Sequence, residues 1–201
     1  NTSALFVASS SEYLSRADNT DLSTGDIDFT IAAWIYVQES APATARMIMS
    51  KAAATNIEYQ FLRNVVGNFL LRFLIYNNET IKGDVSASNF GDLTNDTWYH
   101  VVGWHDALND HVGISVNAGT ANTASTTGAP NDSTGAMNIG RTPYTGANFW
   151  DGGIDEVGFW KRVLTSDERT QLYNGGNGLA YPFSSPATTI NRLLLFTRKV
   201  A

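Results

Sequence analysis

Hydrophobic residues along the chain form short runs that are separated by polar, turn-forming clusters. Branched and aromatic side chains are frequent in these runs, which is typical of β-strands. The runs are ALFVAS, EYLSRA, DFTIAAWIYV, ARMIMSK, EYQFLRN, FLLRFLIY, TIKGDV, WYHVVGWHD, HVGISVN, MNIGR and IDEVGFW. The connections between them contain many Gly, Pro, Asn and Asp residues, which supply turn geometry. The pattern predicts an all-β sandwich or jelly roll.

Residues 149–173 combine a turn, a strand and a helix start within a short stretch. A glycine pair relieves the backbone just before the predicted strand Ile154–Trp160. Thr165 and Glu168 have the spacing of a capping box, and a second glycine pair follows the apolar end of the segment. We therefore expect one short helix near the C-terminus.

The chain of 201 residues contains no proline-rich or charged linker, so it is interpreted as one domain over residues 1–183. Residues 184–201 form a C-terminal extension in which INRLLLF resumes an apolar run after two prolines. The favoured interpretation is a final strand that docks on the parent sheet. The alternative is an assembly arm that pairs with a neighbouring subunit.

The net charge of −6, with few and scattered basic residues, argues against a nucleic-acid partner. No apolar run approaches the roughly 20 residues that span a bilayer, so membrane insertion is not expected. The absence of cysteine excludes disulfides and thiolate metal sites. Charged residues make up only 16%, so Asn, Thr, Ser and Gly must cover much of the surface.

The stretch 149–173 resembles the closing signature of laminin G-like domains in the concanavalin A-like lectin/glucanase superfamily. Residues 10–37 resemble the opening of that family, 96–102 its W-x-H-V strand, and 137–141 the I-G strand before the closing signature. The resemblance implies a two-sheet antiparallel jelly-roll sandwich of the concanavalin A-like type. It also implies carbohydrate binding, glycoside hydrolysis or structural calcium, since all three occur among relatives.

Retaining glycoside hydrolysis needs two carboxyl groups about 5 Å apart on one face. On a regular strand, this requires acidic residues two or four positions apart. None of the glutamates has an acid two residues later, and the adjacent Asp155 and Glu156 should point to opposite faces. The chain is therefore predicted not to be an enzyme.

His100, His105 and His111 lie close together in the sequence but lack the spacing of a zinc site. Strand alternation separates the first two of them. We expect His100 to be a hydrogen-bonded structural histidine, since it stands at a framework position of the family.

Oxygen ligands suited to calcium are concentrated before the first long strand, at Asp18, Asn19, Asp21, Asp26 and Asp28. The resemblance implies a structural calcium ion that joins this N-terminal loop to the late strand carrying Asp155. Asp21, Asp26 and Asp155 are the predicted metal ligands. The alternative is that these acids cap turns through their own hydrogen bonds.

Sugar sites combine an aromatic ring with amide and carboxylate partners, because pyranose faces carry C–H groups and their rims carry hydroxyls. One loop offers this chemistry at Tyr144, Asn148, Phe149, Trp150 and Asp151. A second group surrounds the turn at Asp106, with Trp104, His105, Asn109 and Asp110. The predicted ligand-binding positions are Tyr144, Asn148, Phe149, Trp150 and Asp151 of the first loop and Asp106 of the second group.

The opposing interpretation of the aromatic residues is packing. Trp34, Trp98 and Trp160 match framework positions of the family, and we expect them to fill the core. Trp150 stands where relatives carry a core aromatic residue, so burial is favoured for it. Tyr144 and Phe149 are the better candidates for exposure.

The sequence thus favours a non-catalytic binding module for glycan or another surface polymer, located outside the cell, on a cell surface or on a virion. Multivalent display would raise the modest affinity of each site. The alternative is a structural, decoration or fibre subunit of a virion or other surface assembly, with protein partners through the C-terminal arm. A third interpretation is an accessory domain beside a hydrolase.

Overall fold

The structure is a computed structural model that describes residues 3–39, 42–65, 69–179 and 197–199. Thirteen strands form two antiparallel sheets in the described residues, and a single α-helix, α1, follows the last long strand. This arrangement confirms the predicted two-sheet jelly-roll sandwich. No helix among the described residues is long and apolar enough to cross a membrane.

Sheet A has six strands in the order β1-β12-β3-β8-β9-β10. Their bounds are β1 Ala4–Phe6, β3 Phe29–Val37, β8 Thr97–Asp106, β9 His111–Val116, β10 Asn122–Ser125 and β12 Gly152–Trp160. The long strands β3, β8 and β12 lie side by side in its centre. Their alternating side chains therefore form two broad faces, one toward the core and one outward.

Sheet B has seven strands in the order β13-β2-β11-β4-β5-β6-β7. Their bounds are β2 Tyr13–Arg16, β4 Arg46–Ala53, β5 Asn56–Arg63, β6 Leu71–Asn78, β7 Thr80–Ser86, β11 Met137–Ile139 and β13 Thr197–Lys199. The core between the sheets is built from inward-facing residues such as Ile31 and Ile35 of sheet A and Phe61 and Phe73 of sheet B.

Helix α1, Ser166–Tyr173, covers part of the outer face of sheet A. Its capping box is formed as predicted: the Thr165 hydroxyl accepts from the Glu168 backbone N–H, and the Glu168 carboxylate accepts from that of Thr165. Leu172 then packs with Trp104 and Trp160 in a second apolar cluster. The helix predicted from the signature at 149–173 is therefore present, and in the structure it packs against sheet A.

The three framework tryptophans lie on this outer face, and they do not share one environment. Trp34 and Trp160 are buried, whereas Trp98 is 38% exposed. The expectation that all three fill the core is wrong for Trp98. Trp98 lies at the start of β8, whereas the tryptophan of β8 that belongs to the apolar cluster under α1 is Trp104, near the other end of the strand. Trp98 therefore lies outside that cluster.

The C-terminal extension is described only at Thr197–Lys199, where β13 pairs antiparallel with β2. The rest of the predicted extension, residues 184–196 and 200–201, lies outside the described residues. The boundary at residue 183 stays a prediction.

Candidate functional site

A cavity of about 450 Å³ lies on the outer face of sheet A, beside the C-terminal end of α1. Two tryptophans, two carboxylates, two asparagines and a glycine-rich turn surround it. These lining residues are Trp34, Trp98, Asp155, Glu156, Asn174, Gly176, Asn177, Gly178 and Leu179. We call this space the Trp98 cavity. It combines an exposed aromatic ring with polar groups in a single concave site, as small-ligand sites do.

Trp98 is held against the sheet by its neighbours on β3 and β12. A Cβ atom built on Gly153 would lie 2.7 Å from the Cη2 atom of Trp98, so only glycine leaves room for the indole there. Tyr36 packs beside Trp98 with ring centroids 5.4 Å apart. The Tyr36 hydroxyl donates to Asp96 Oδ1 at 2.9 Å, and this hydrogen bond raises the pKa of Tyr36. The exposed ring therefore has a fixed support.

Trp34 lies deeper in the Trp98 cavity and is 8% exposed. Its ring stacks on Tyr173 at 5.8 Å and lies 5.3 Å from the ring of His100. Burial lowers the pKa of His100 to about 4, so its imidazole is neutral at neutral pH. Among the described residues Nδ1 of His100 has no hydrogen-bond partner, so the hydrogen bond expected of this structural histidine is not made there at that atom.

Asp155 and Glu156 both line the Trp98 cavity, although they are adjacent in the sequence. The pairing of β12 with β3 shifts register between Asp155 and Gly158, and Glu156 has a positive φ of 46°. This bulge interrupts the alternation of side chains. The expectation that the two carboxylates point to opposite faces is therefore wrong, because it assumed a regular strand.

The turn after α1 forms the polar rim of the Trp98 cavity. Asn174 has a left-handed backbone with φ 48°, and its side-chain amide donates to the Gly178 carbonyl at 2.7 Å. The Asn177 amide donates to the Asn174 carbonyl at 3.2 Å. The turn is thus fixed by its own hydrogen bonds, so a ligand would meet a preformed rim.

The structure places the predicted loop residues away from the lining of the Trp98 cavity. Tyr144 is 41% exposed, as expected, whereas Phe149 is only partly so. Asn148 adopts φ 57° and donates from its side chain to the Thr142 hydroxyl. Asp151 accepts from the Ala8 backbone N–H at 3.0 Å. The polar groups of Asn148 and Asp151 therefore take part in the internal structure of the protein.

Trp150 is 1% exposed, and its indole N–H donates to the Gly153 carbonyl at 3.2 Å. A side chain so deeply buried cannot stack on a ligand. The favoured interpretation of Trp150 as a core residue therefore agrees with the structure, and its place among the ligand-binding positions is corrected.

Asp106 lies at the end of β8 opposite to Trp98. Burial alone would raise its pKa, but the hydrogen bonds from the side chain and backbone of Asn109 outweigh burial and lower it. The nearby His111 ring, 3.7 Å away, acts in the same direction. Asp106 thus stabilises the turn between β8 and β9.

Sequence reasoning did not bring together the residues that form the Trp98 cavity, and it named Asp155 only as a metal ligand. Trp98 was assigned to the core, and the asparagines at 174 and 177 were not considered. The one available signal was the glycine pair that begins β12, because Gly153 leaves space for the Trp98 indole, which reaches it across β3. That signal requires knowledge of the strand register.

Residues 8–168 match the laminin G family model of the concanavalin A-like lectin/glucanases superfamily. The chain belongs to this superfamily. No curated protein sequence matches it.

Solved structures share this fold at low sequence identity. The domain is similar to a heptameric SAP-like pentraxin from Limulus polyphemus, with 14% identity, a TM-score of 0.60, and coverage of 94% of this chain and 92% of the pentraxin. A candidate carbohydrate-binding protein from Bacteroides ovatus is 18% identical, with a TM-score of 0.66 and coverage of 98% of this chain and 59% of that protein.

The CBM40 domain of the Ruminococcus gnavus IT-sialidase, bound to α2,3-sialyllactose, is also similar in fold. It is 16% identical, with a TM-score of 0.58 and coverage of 73% of this chain and 82% of the CBM40 chain. At such identities these likenesses establish the fold of the laminin G-like domain and leave its ligand to be argued from its own residues.

The calcium implied by the laminin G resemblance stays a prediction, although the structure does not group the acids proposed for it. Within residues 3–39, 42–65, 69–179 and 197–199, no three His, Asp or Glu side chains are grouped to hold a metal ion. Asp21 lies 3.9 Å from Arg16, and Asp155 Oδ1 accepts from the Glu156 backbone N–H. Asp21, Asp26 and Asp155 therefore do not form a ligand set in this arrangement.

A buried lysine instead connects the N-terminal loop to sheet B. The Lys51 ammonium lies 2.5 Å from Glu58 and 3.0 Å from Asp18, and it also donates to the Ser133 carbonyl. Glu58 accepts from the backbone N–H and the hydroxyl of Thr24 at 2.8 and 2.6 Å. This ion pair fixes the loop that carries the proposed calcium ligands.

Proposed function

We propose that the domain binds a glycan in the Trp98 cavity and does not hydrolyse it. The observation that carries the proposal is the exposure of Trp98. Its ring is 38% exposed beside Asp155 and Glu156, whereas the other tryptophans of this face, Trp34, Trp104 and Trp160, are buried.

The chemistry of the Trp98 cavity suits a pyranose. An indole face packs against the C–H groups of a sugar ring, and carboxylates and amides accept or donate to its hydroxyls. The glycine support of Trp98 and the self-bonded turn at Asn174 and Asn177 reduce the ordering needed on binding. The similar candidate carbohydrate-binding protein and the CBM40 domain make this ligand class a reasonable choice.

Hydrolysis is not part of the proposal, although Asp155 and Glu156 share a cavity. Glycoside hydrolysis requires carboxyl groups that flank the scissile bond with defined separation. Consecutive residues at one bulge approach a bound sugar from the same strand, which suits hydroxyl recognition. The extracellular, cell-surface or virion location belongs to the same proposal, because glycan ligands and multivalent display are expected there.

The test is a glycan array followed by calorimetry on the wild-type domain, Trp98→Ala and Tyr144→Ala. Tyr144 is the matched control, since it is an aromatic residue of similar exposure, 41%, outside the Trp98 cavity. We expect binding that Trp98→Ala reduces at least tenfold, as loss of one stacking ring would, and that Tyr144→Ala leaves unchanged.

Loss of binding in Tyr144→Ala alone would move the site to the loop predicted from the sequence. A wild-type domain that binds no glycan would contradict the proposal, and light scattering would then test the alternative of a structural assembly subunit. Release of reducing ends from a bound oligosaccharide would contradict the non-catalytic part.

A further inference from the structure

We infer that the Trp98 cavity selects glycans by charge. It accepts a neutral sugar or one that carries a protonated amine, and it discriminates against sugars that carry carboxylate or sulfate groups. This inference rests on the proposed glycan binding and adds the charge class of the ligand.

The first support is the set of charged residues around the Trp98 cavity. Its lining contains the carboxylates of Asp155 and Glu156, and no Lys, Arg or His occurs among the described residues that line it. The β-bulge of β12 brings both side chains to the same cavity. Asp155 Oδ1 accepts from the Glu156 backbone N–H at 2.8 Å, so its carboxylate is fixed in place. An anion placed beside Asp155 would be repelled over a short distance and in a partly desolvated space.

The basic residues of the neighbouring helix segment are held elsewhere. Arg162 forms two hydrogen bonds of 2.7 Å with Glu168. Arg169 donates to the Leu164 carbonyl at 2.6 Å, and its guanidinium lies 4.5 Å from the centre of the Trp104 ring. These contacts hold both cations near the start of α1, whereas the Trp98 cavity lies at its C-terminal end. They therefore do not offset the charge of Asp155.

The aromatic part of the Trp98 cavity acts in the same direction as its carboxylates. The face of an indole attracts cations through the ring quadrupole, so a protonated amine near Trp98 gains a second favourable contact. The net charge of −6 adds a weak, long-range preference of the same sign. An amino sugar satisfies the ring and the carboxylates together, and a neutral sugar satisfies them through hydroxyl groups.

This charge preference separates the domain from one of its structural neighbours. The CBM40 domain of similar fold was solved with α2,3-sialyllactose, whose sialic acid carries a carboxylate. The acidic lining of the Trp98 cavity predicts that the present domain does not share that ligand. A shared fold is compatible with different ligands, because specificity is determined by the residues at the site.

The experiment uses an array on which each sugar skeleton is present in a neutral, an amine-bearing, a sialylated and a sulfated form. We expect the wild-type domain to bind neutral or amine-bearing members at least tenfold more tightly than their anionic counterparts. Affinity for an amine-bearing member should also fall as salt is added. Asp155→Asn should reduce the discrimination, and Glu156→Gln is the second variant if Asp155→Asn does not fold.

The matched control is Asp110→Asn, which removes the same charge at an exposed turn between β8 and β9, away from the Trp98 cavity. It should leave the discrimination unchanged. Sialylated or sulfated glycans that bind as tightly as their neutral parents, and that are lost in Trp98→Ala, would overturn the charge inference while supporting the proposed site. A wild-type domain that binds no glycan at all would instead contradict the proposed function, and the inference with it.

Discussion

The outer face of sheet A has two halves that carry the same type of side chain in different surroundings. In one half, Trp104 and Trp160 lie under α1 and are 5% and 4% exposed. In the other half, Trp98 lies beyond the helix and is 38% exposed. Trp104 and Trp160 pack in one cluster with Leu164 and Leu172, and Trp98 is not a member of that cluster. Packing under the helix therefore explains two of these tryptophans and does not explain Trp98.

In both halves a glycine lies against the indole, so this contact does not explain the difference in exposure. A Cβ built on Gly113 would lie 2.1 Å from the ring of Trp104, and one on Gly153 would lie 2.7 Å from that of Trp98. Each indole therefore lies against a glycine of a strand. The two indoles differ in what lies over them. Helix α1 covers Trp104, whereas the Trp98 cavity leaves Trp98 accessible.

The largest expected effect concerns the covered half. Trp160→Ala should lower the free energy of unfolding by about 3–5 kcal/mol, because it removes a large side chain from a packed cluster and leaves a cavity. Chemical denaturation of the variant measures this loss. A loss below about 1 kcal/mol would show that the cluster under α1 is loosely packed and would remove the contrast between the halves.

The second prediction concerns His100, which lies between the halves beside Trp34. Burial lowers its pKa from the ordinary value of 6.5 to about 4, so between these pH values the unfolded chain binds a proton that the folded chain does not. The resulting stability is present above pH 6.5 and is lost as the pH falls toward 4, up to about 3 kcal/mol.

His100→Phe should flatten this part of the pH profile, because the ring contacts remain and the titrating group is absent. The control is His111→Gln, at the partly exposed first residue of β9. Thermal melts between pH 7 and pH 4 give the comparison with the wild-type domain. Equal slopes for wild type and His100→Phe would show that His100 does not titrate in this way.

The strands, the sandwich and the capped helix could be predicted from the sequence because their signals are local. The apolar run of β3 and the Thr165–Glu168 spacing need no knowledge of distant partners. The family resemblance added the sheet arrangement. Trp150 was named as a ligand-binding position although burial was the favoured interpretation, and the structure places it in the core.

The Trp98 cavity could not be predicted because it depends on relations between distant segments. The exposure of Trp98 depends on how far α1 extends over sheet A, and no pattern around Trp98 encodes that extent. The shared orientation of Asp155 and Glu156 depends on a bulge in the pairing of β12 with β3. The loop at Tyr144 has the composition of a sugar site, yet Asn148 and Asp151 bond within the protein.

The third prediction concerns a substitution in α1, the helix that covers Trp104 and Trp160. Glu168 joins the capping box to Arg162, and the hydrogen bonds from Arg162 are the main reason why the pKa of Glu168 is lowered to about 2. Glu168→Gln should reduce the free energy of unfolding by about 1–2 kcal/mol, a value that allows for the partly exposed Arg162.

Because this pKa is lowered, the contribution of Glu168 to stability is present above pH 4.5, the ordinary pKa of a glutamate, and is lost as the pH falls toward 2. The control is Asp167→Asn, an exposed change in the same helical turn. It should change stability by less than about 1 kcal/mol. If both variants lost the same stability, the capping contacts of Glu168 would not be what holds α1 in place.

The fourth prediction concerns the uncovered half. Trp98→Ala should change the free energy of unfolding by less than about 1 kcal/mol, since a partly exposed side chain contributes little to packing. Denaturation under the conditions used for Trp160→Ala gives the direct comparison. A loss as large as that of Trp160→Ala would mean that Trp98 has a structural role, and its exposure would then no longer favour a ligand.

The smallest expected effect is that of chelation, which should leave the melting temperature unchanged. The N-terminal loop is held by the Lys51–Glu58 ion pair and by Thr24, so its position does not depend on a metal ion. A drop in melting temperature on adding EDTA, reversed by calcium, would show that the loop acids assemble around an ion. Weaker glycan binding at an unchanged melting temperature would instead place calcium at the uncovered half, near Asp155. The two readouts therefore separate a metal that supports the fold from one that supports the ligand.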